Sequence, residues 1–394
     1  MRIDDFQKNA EETNELQNLL GDRYVAIWGL VGEVGGIASV FKKKVLYHKT
    51  NKEFFERELC EEIGDALWYL ANIATLNNFQ LSEVAQLNLK RLSARFTVPP
   101  PSQSEFDGLT FDGYRIFARR SDRSDGETQI LLLLVKQVGK LLSVFQLLRS
   151  NPEKSRDPSY QEDLKKELGD VLWFLALLGD KNGLNLDDIA SRNVSKSKAL
   201  HSIGDNHPFD AGLHPDEQLP RKIAVDFSQR EIGATMRVTI KIDQTIIGDK
   251  LSDNSHTPDD YRFHDVFHLA YMANLGWSPV IRDLLKRKRR GNAQTDENED
   301  GARAKIIEEA ISLLIFNQAT KHLKYFEGAE HIDLHLLAVV QNMCSGLEVK
   351  KRTAKQWERA ILSGYEMWRQ LRANGGGRIK LDLDNSLISY EKLP

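Results

Sequence analysis

Three acidic residues carry the chemistry that this chain offers first: Glu33 in GLVGEVGGI, and Glu62 with Asp65 in EEIGDALWYLA. On a helix, residues three apart sit about 60° from one another around the axis, so Glu62 and Asp65 face one spot. Two helices that each aim carboxylates at one place form an oxygen-ligand site for a hard cation. Mg²⁺ is such a cation, and it keeps waters that substrate phosphates can replace. Ile63, Ala66, Leu67, Trp68 and Leu70 surround Glu62 and Asp65 in sequence, which sets them apart from solvated surface acids. This chemistry suits the cleavage of a nucleotide.

Four blocks then occur in order: DFQKNAEET from Asp5, the Gly29 to Glu33 turn of helix, GDALWYLA from Gly64, and NLKRLSARF from Asn88. With them, residues 4–96 resemble the all-α nucleoside triphosphate pyrophosphohydrolases of the MazG-like superfamily. The resemblance implies hydrolysis of a nucleoside triphosphate to monophosphate and pyrophosphate. It also implies Mg²⁺ held by Glu33, Glu62 and Asp65, with Mn²⁺ as a substitute, and nucleotide contacts from Asn88 and the following basic residue. That residue is Arg91 here, where Lys is more usual, which keeps the charge and alters the donor geometry. The second acid of the family's Glu-x-x-Glu motif is Gly36, which has no side chain to coordinate with. Glu61 could replace it only if its helix turned by roughly 100°. Lys43 and Lys44, beyond the first motif, are candidates for holding phosphates, or else a solvated helix end that complements the dipole.

The acidic motif is written twice. Gln137 falls on Glu33 at 137 − 33 = 104, and Glu167 falls on Glu62 at 167 − 62 = 105. Asp170, Trp173 and Asn193 fall on Asp65, Trp68 and Asn88 at the second offset, so two copies of one helical unit are expected. In the second copy Gln137 is a weak ligand, and the Lys140 ammonium, in the place of Gly36, repels a cation. Its expected work is to complete a pseudo-dimer inside one chain. The sharper alternative is that Lys140, Glu167 or Asp170 lines a site shared by both copies.

These motifs need helices to position them. Amphipathic stretches with short turns predict helices from Asp4, over Val25–Val45, Glu53–Asn77 and Ser82–Arg95, then over Thr128–Ser150, Tyr160–Asn182 and Leu186–His201. Ser82 is the expected N-cap of the fourth. The fold class is mainly α: two tandem MazG-like four-helix units at 1–98 and 128–205, joined by a linker at 99–127. A C-terminal α+β domain with a small antiparallel sheet occupies 206–394. Its strands are expected in Ala234–Gly248, with a turn at Asp243-Gln244, and at Arg378–Leu383. The basic run Lys286–Arg290 and the polar stretch Asn292–Asp300 read as an exposed loop.

The last domain has its own constellation. His264 and His268 are four apart, one above the other on a helix, a spacing that suits transition metals, and Glu308 and Glu309 on a later helix add carboxylates. A buried histidine bonded to a carbonyl or to Asp265 is the plainer reading.

Composition bounds the rest. The 394 residues are 41% hydrophobic, enough for more than one core, and a net charge of −3 argues against a general nucleic-acid binder. Two cysteines, Cys60 and Cys344, make no disulfide framework. The polar N-terminus, and the expectation that no stretch is long enough to span a membrane, predict a cytoplasmic protein. The expected partner is a nucleoside triphosphate, with no membrane partner, and exposed bundle faces are compatible with a homo-oligomer. Two alternatives stand beside a Mg²⁺-dependent pyrophosphohydrolase: a catalytically weak nucleotide-sensing module, and a metal-dependent hydrolase centred on His264 and His268.

Overall fold

The computed structural model describes the chain except for residues 15–21, 48–50, 151–152, 154–156, 202–203, 205–206, 234, 322–323 and 394. The sequence also predicts a turn at Gly21-Asp22; Gly21 lies outside the described residues, and Asp22 already belongs to a helix. The chain divides into two compact units, Met1–Lys198 and Ala199–Pro394.

The first unit is helical: α1 (Ile3–Glu12), α2 (Asp22–Leu46), α3 (Lys52–Leu76), α4 (Leu81–Phe96), α5 (Gln103–Phe106), α6 (Phe111–Arg119), α7 (Glu127–Ser150), α8 (Pro158–Lys181) and α9 (Leu186–His201). Local chemistry starts several of them. The Asn51 side chain accepts from the Glu53 N–H ahead of α3, and Asp157 accepts from Ser159 with Pro158 at the first helical position of α8. Apolar stripes then bury the inner faces. Leu59, Ile63, Ala66, Leu67 and Leu70 of α3 are fully buried, and so are Leu164, Leu168, Val171, Leu172 and Leu175 of α8, each 105 positions later (164 − 59 = 105). Both stripes lie in one continuous core with α1, α2, α4, α6 and α7.

Three expectations are corrected here. Residues 99–127 are not a free linker, because they contain α5 and α6. Phe111 and Tyr114 are fully buried, and Phe111 packs edge-to-face on Phe6 with ring centroids 5.1 Å apart. The Gly, Ser and charge content of the segment hides an amphipathic Phe111–Tyr114–Ala118 face behind a Thr110 cap. Ser82 is not the cap of α4, which starts at Leu81. The Leu81 N–H instead donates to Gln7 Oε1 of α1 at 2.7 Å, a cap from 74 positions away that no local reading can see. Finally, Tyr24–Leu46 and Glu127–Leu147 are long and apolar enough, by length and composition, to cross a membrane. Their inner residues, among them Leu30, Ile37, Leu134 and Leu141, are buried in the core of this unit.

The second unit carries a five-stranded antiparallel sheet in the order β3-β2-β1-β4-β5: β1 (Lys222–Ile232), β2 (Thr235–Ile242), β3 (Thr245–Leu251), β4 (Gly376–Asp382) and β5 (Leu387–Glu391). The expected hairpin is β2–β3. Asp243 and Gln244 both have positive φ, as a two-residue turn between twisted strands requires. Against the sheet pack α10 (Asp265–Leu275) and α15 (Ala354–Asn374), and α11 (Pro279–Leu284), α12 (Ala293–Asn298), α13 (Ala302–Ala319) and α14 (Leu334–Met343) pack on these helices and on one another. Every residue of α10 is buried, as befits a central helix that is apolar on most sides. Trp277, Trp357 and Trp368 fill the core around it. The basic run is not simply an exposed loop. Arg289 is buried and holds the fully buried Asp300 through two side-chain hydrogen bonds of 2.8 and 3.1 Å, and it also reaches Glu348 at 3.0 Å.

Candidate active site

Glu33 projects from α2, and Glu62 and Asp65 project from the middle of α3, where the buried stripe fixes the rotation of the helix. The three interact. Burial, with Asp65 and Glu62 close by, pushes the Glu33 carboxyl up to about 8, and its proton bonds to Glu62. Burial and the Asp65 charge raise Glu62 as well, while its bond with Glu33 acts the other way. Glycine at position 36 makes this arrangement possible, because a Cβ there would overlap the Glu62 carboxylate.

Asp65 is held from the far side by the second half of the unit. It accepts a hydrogen bond from Asn193 Nδ2 at 2.7 Å and an ion pair from Lys196 Nζ at 2.8 Å, both on α9. Burial opposes the Lys196 charge, but Asp65 and Glu61 more than compensate and raise its pKa above the ordinary lysine value. Glu61 lies 2.9 Å from Lys196. It therefore points to the lysine and not to the place of the missing fourth acid, as adjacency on a helix requires.

The shared proton has a measurable consequence. A glutamate that releases its proton near 4.5 when unfolded keeps it to about 8 at position 33 when folded. Across that interval the native state binds more protons than the unfolded one. This contribution to stability is full below the unfolded value and is lost as pH rises through about 8. In EDTA, the melting temperature should fall more steeply between about pH 5 and pH 8 for the wild type than for Glu33→Gln. Equal slopes would remove Glu33 as the proton holder.

A parallel arrangement forms around the later motif. The Gln137 amide donates to the Glu167 carboxylate in the place of the Glu33–Glu62 pair. Asp170 accepts from Asn88 Nδ2 at 3.0 Å and pairs with Arg91. The Tyr114 hydroxyl, from the segment expected to be linker, donates to Asn88 Oδ1 at 2.8 Å. A glycine precedes each aspartate and lets the crossing helix come close. A Cβ on Gly64 would lie 3.2 Å from the Asn193 Cβ, and one on Gly169 would lie 2.8 Å from the Asn88 Cβ.

The second unit brings its predicted residues together. His264 stands at the start of α10 and His268 one turn on, while Glu308 and Glu309 come from α13. His268 is fully buried, with Nδ1 2.9 Å from Glu308 Oε1 and Nε2 3.4 Å from Glu309 Oε2. Glu308 also accepts from Ser278 Oγ at 2.6 Å and from the Val280 N–H at 2.8 Å.

The family described as the MazG C-terminal domain matches residues 204–394, nearly the whole of this second unit. The "Gene 37 protein" of Mycobacterium phage L5 is 36% identical over 103 residues, which cover 24% of this chain and 89% of that protein. The chain belongs to the MazG-like family. Membership points this MazG-like chain toward a nucleotide pyrophosphohydrolase-type role. No solved structure matches it.

Of the residues that sequence singles out in the MazG-like chain, Glu33, Glu62 and Asp65 interact, but Asn88 and Arg91 stand at Asp170 instead. Lys43 pairs with Glu58 at 3.3 Å and Lys44 with Glu127 at 2.9 Å, so both are engaged away from the three acids. Asn193 and Lys196 were missed as partners of Asp65. The signal was present: Asn193 sits on Asn88 and Lys196 on Arg91 at the same offset of 105 (196 − 91 = 105). What the self-comparison lacked was the exchange, in which each asparagine and basic residue serves the acid of the other half.

Proposed function

We propose that the first unit hydrolyses a nucleoside triphosphate to monophosphate and pyrophosphate at Glu33, Glu62 and Asp65. Residues 128–205 would act as a degenerate second copy of the same four-helix unit, forming a pseudo-dimer with residues 1–98. The observation that carries this reading is the convergence of three carboxyls from two helices, close enough to raise one another's pKa, with Lys196 and Asn193 beside Asp65. An all-oxygen, anionic donor set fits a hard divalent cation, and Glu33, Glu62 and Asp65 are the residues that would hold it. When bound, Mg²⁺ supplies polarisation of phosphoryl oxygens and lowers the pKa of a water. Lys196 and Asn193 would turn from Asp65 toward substrate oxygens, neutralising charge on the triphosphate and orienting it. The tandem reading is supported by the matched buried stripes of α3 and α8 and by the exchanged asparagines.

The second half lacks this chemistry, since an amide at Gln137 and a guanidinium on Asp170 leave it short of negative charge. One observation favours a binding-only reading: Asp65 is already satisfied by Lys196 and Asn193, which a cation must displace. Turnover separates the two. With a panel of ribo- and deoxyribonucleoside triphosphates, release of pyrophosphate and monophosphate should occur with Mg²⁺ and stop with EDTA. Tight nucleotide binding without release across the panel would replace hydrolysis with sensing.

A further inference from the structure

We propose that the second unit binds a divalent transition-metal cation, of the zinc type, between His264, His268 and Glu309, with a coordination position left open. Among the described residues these three form the group of His, Cys, Asp and Glu side chains whose ligand atoms all lie within 4.8 Å of one another. The geometry of each imidazole leads to the same point. His264 Nδ1 donates to the Tyr261 carbonyl at 2.9 Å, so Nε2 is the nitrogen a cation would use, displacing the proton that Asp265 Oδ1 faces at 3.1 Å. His268 Nδ1 is engaged by the Glu308 carboxylate at 2.9 Å, so Nε2 is again the nitrogen available to a cation, which would take the place of a proton there.

That second nitrogen is the decisive atom. His268 is wholly buried and its Nε2 makes no hydrogen bond. Glu309 Oε2 stands 3.4 Å from it, beyond the usual hydrogen-bond range of about 2.7–3.2 Å. Two ligand atoms on a tetrahedral ion with bonds of about 2.0–2.1 Å are separated by roughly 3.3 Å. The gap is therefore the width that a shared cation fills.

Glu308 and Glu309 divide the work. Glu308 is fully buried and spends its oxygens on His268, Ser278 and the Val280 N–H, which fixes the imidazole's tautomer and direction in the manner of an outer-shell carboxylate. Glu309 is 45% exposed, so the cation would have protein behind it and solvent on the Glu309 side. Asp265 Oδ1, 3.1 Å from His264 Nε2, is a further oxygen at the rim. Two imidazoles and one carboxylate favour zinc, iron or cobalt over magnesium or calcium. Three protein ligands with an open side are the pattern of a site that binds a water or a ligand oxygen, whereas purely structural zinc sites close with four.

The test uses the full-length chain, stripped with EDTA and titrated with Co²⁺ alone. Visible absorption reports the coordination, and elemental analysis after Zn²⁺ loading reports the stoichiometry. Wild type and Glu62→Gln should both show the bands of one imidazole-bound equivalent, whatever further Co²⁺ the carboxylates of the first unit take up in the wild type. Glu309→Gln and His264→Gln should weaken binding about a hundredfold or more. Glu309 is at the rim, so its substitution leaves the buried packing intact and circular dichroism can confirm the fold. If Glu309→Gln binds Co²⁺ as tightly as wild type, or if uptake is lost in Glu62→Gln and kept in Glu309→Gln, the metal is not here. A folded wild type that takes up no Co²⁺ or Zn²⁺ would make the cluster a buried imidazolium between two carboxylates. The outcome is independent of turnover in the first unit.

Discussion

Glu62→Gln should reduce pyrophosphate release by about a thousandfold, the rate equivalent of the several kcal/mol that a bound cation contributes to transition-state stabilisation. The substitution is nearly isosteric. The space over Gly36 that receives the carboxylate receives the amide equally well, so no cavity opens. What changes is charge: the cluster loses one of the carboxylates that would hold the cation, and the amide is a poor ligand for Mg²⁺. Removing a like charge also eases the repulsion that raises Glu33, so the variant should be as stable as wild type or slightly more so near neutral pH. A variant that is folded, equally stable and inactive would separate chemistry from architecture. Turnover within tenfold of wild type would move catalysis away from these acids.

The acids and their helices were legible because the information is local. A three-residue spacing on an amphipathic helix fixes a face, and the face of Glu62 and Asp65 is set by the buried stripe from Leu59 to Leu70. What was not legible depends on partners distant in sequence. The α4 cap comes from Gln7, and Asp65 is held by residues more than a hundred positions on. Strands β1 and β5 were not anticipated. The middle strand of the sheet, β1, pairs on both edges and keeps Val225 and Phe227 buried, yet KIAVDFSQREI carries several charges that blur its alternation. Arg289 and Asp300 looked like loop charges because only the folded chain brings them together in a dry place, where a paired guanidinium and carboxylate satisfy one another. His264 and His268 were visible from spacing alone, but the separate roles of Glu308 and Glu309 required the positions of Ser278 and Val280.

Lys196→Met should cost far more activity than Arg91→Met, the reverse of what proximity in sequence suggests. Asn88 and Arg91 follow the first acidic motif directly, but their donors reach Asp170, on the half where Gln137 has replaced the first acid. Lys196 stands at Asp65 and Glu61. If it delivers its charge to substrate phosphate, removing it forfeits a charge-assisted hydrogen bond of about 1.5–3 kcal/mol, or roughly a ten- to hundredfold loss in kcat/KM. Methionine keeps much of the stem volume, so packing is largely preserved. Arg91→Met should stay within about threefold, since it unpairs Asp170 at a distance from the three acids and acts through stability alone. The sign of a second effect distinguishes Lys196 from a passive tether. With its ammonium gone, Asp65 is freed for the cation, so apparent Mg²⁺ affinity should rise even as turnover with saturating Mg²⁺ falls. Steady-state kinetics across a Mg²⁺ titration read both quantities from one experiment. Equal losses in the two variants would mean that the exchanged pairs only hold the halves together. A larger loss in Arg91→Met would place the working site at Asp170 and Glu167.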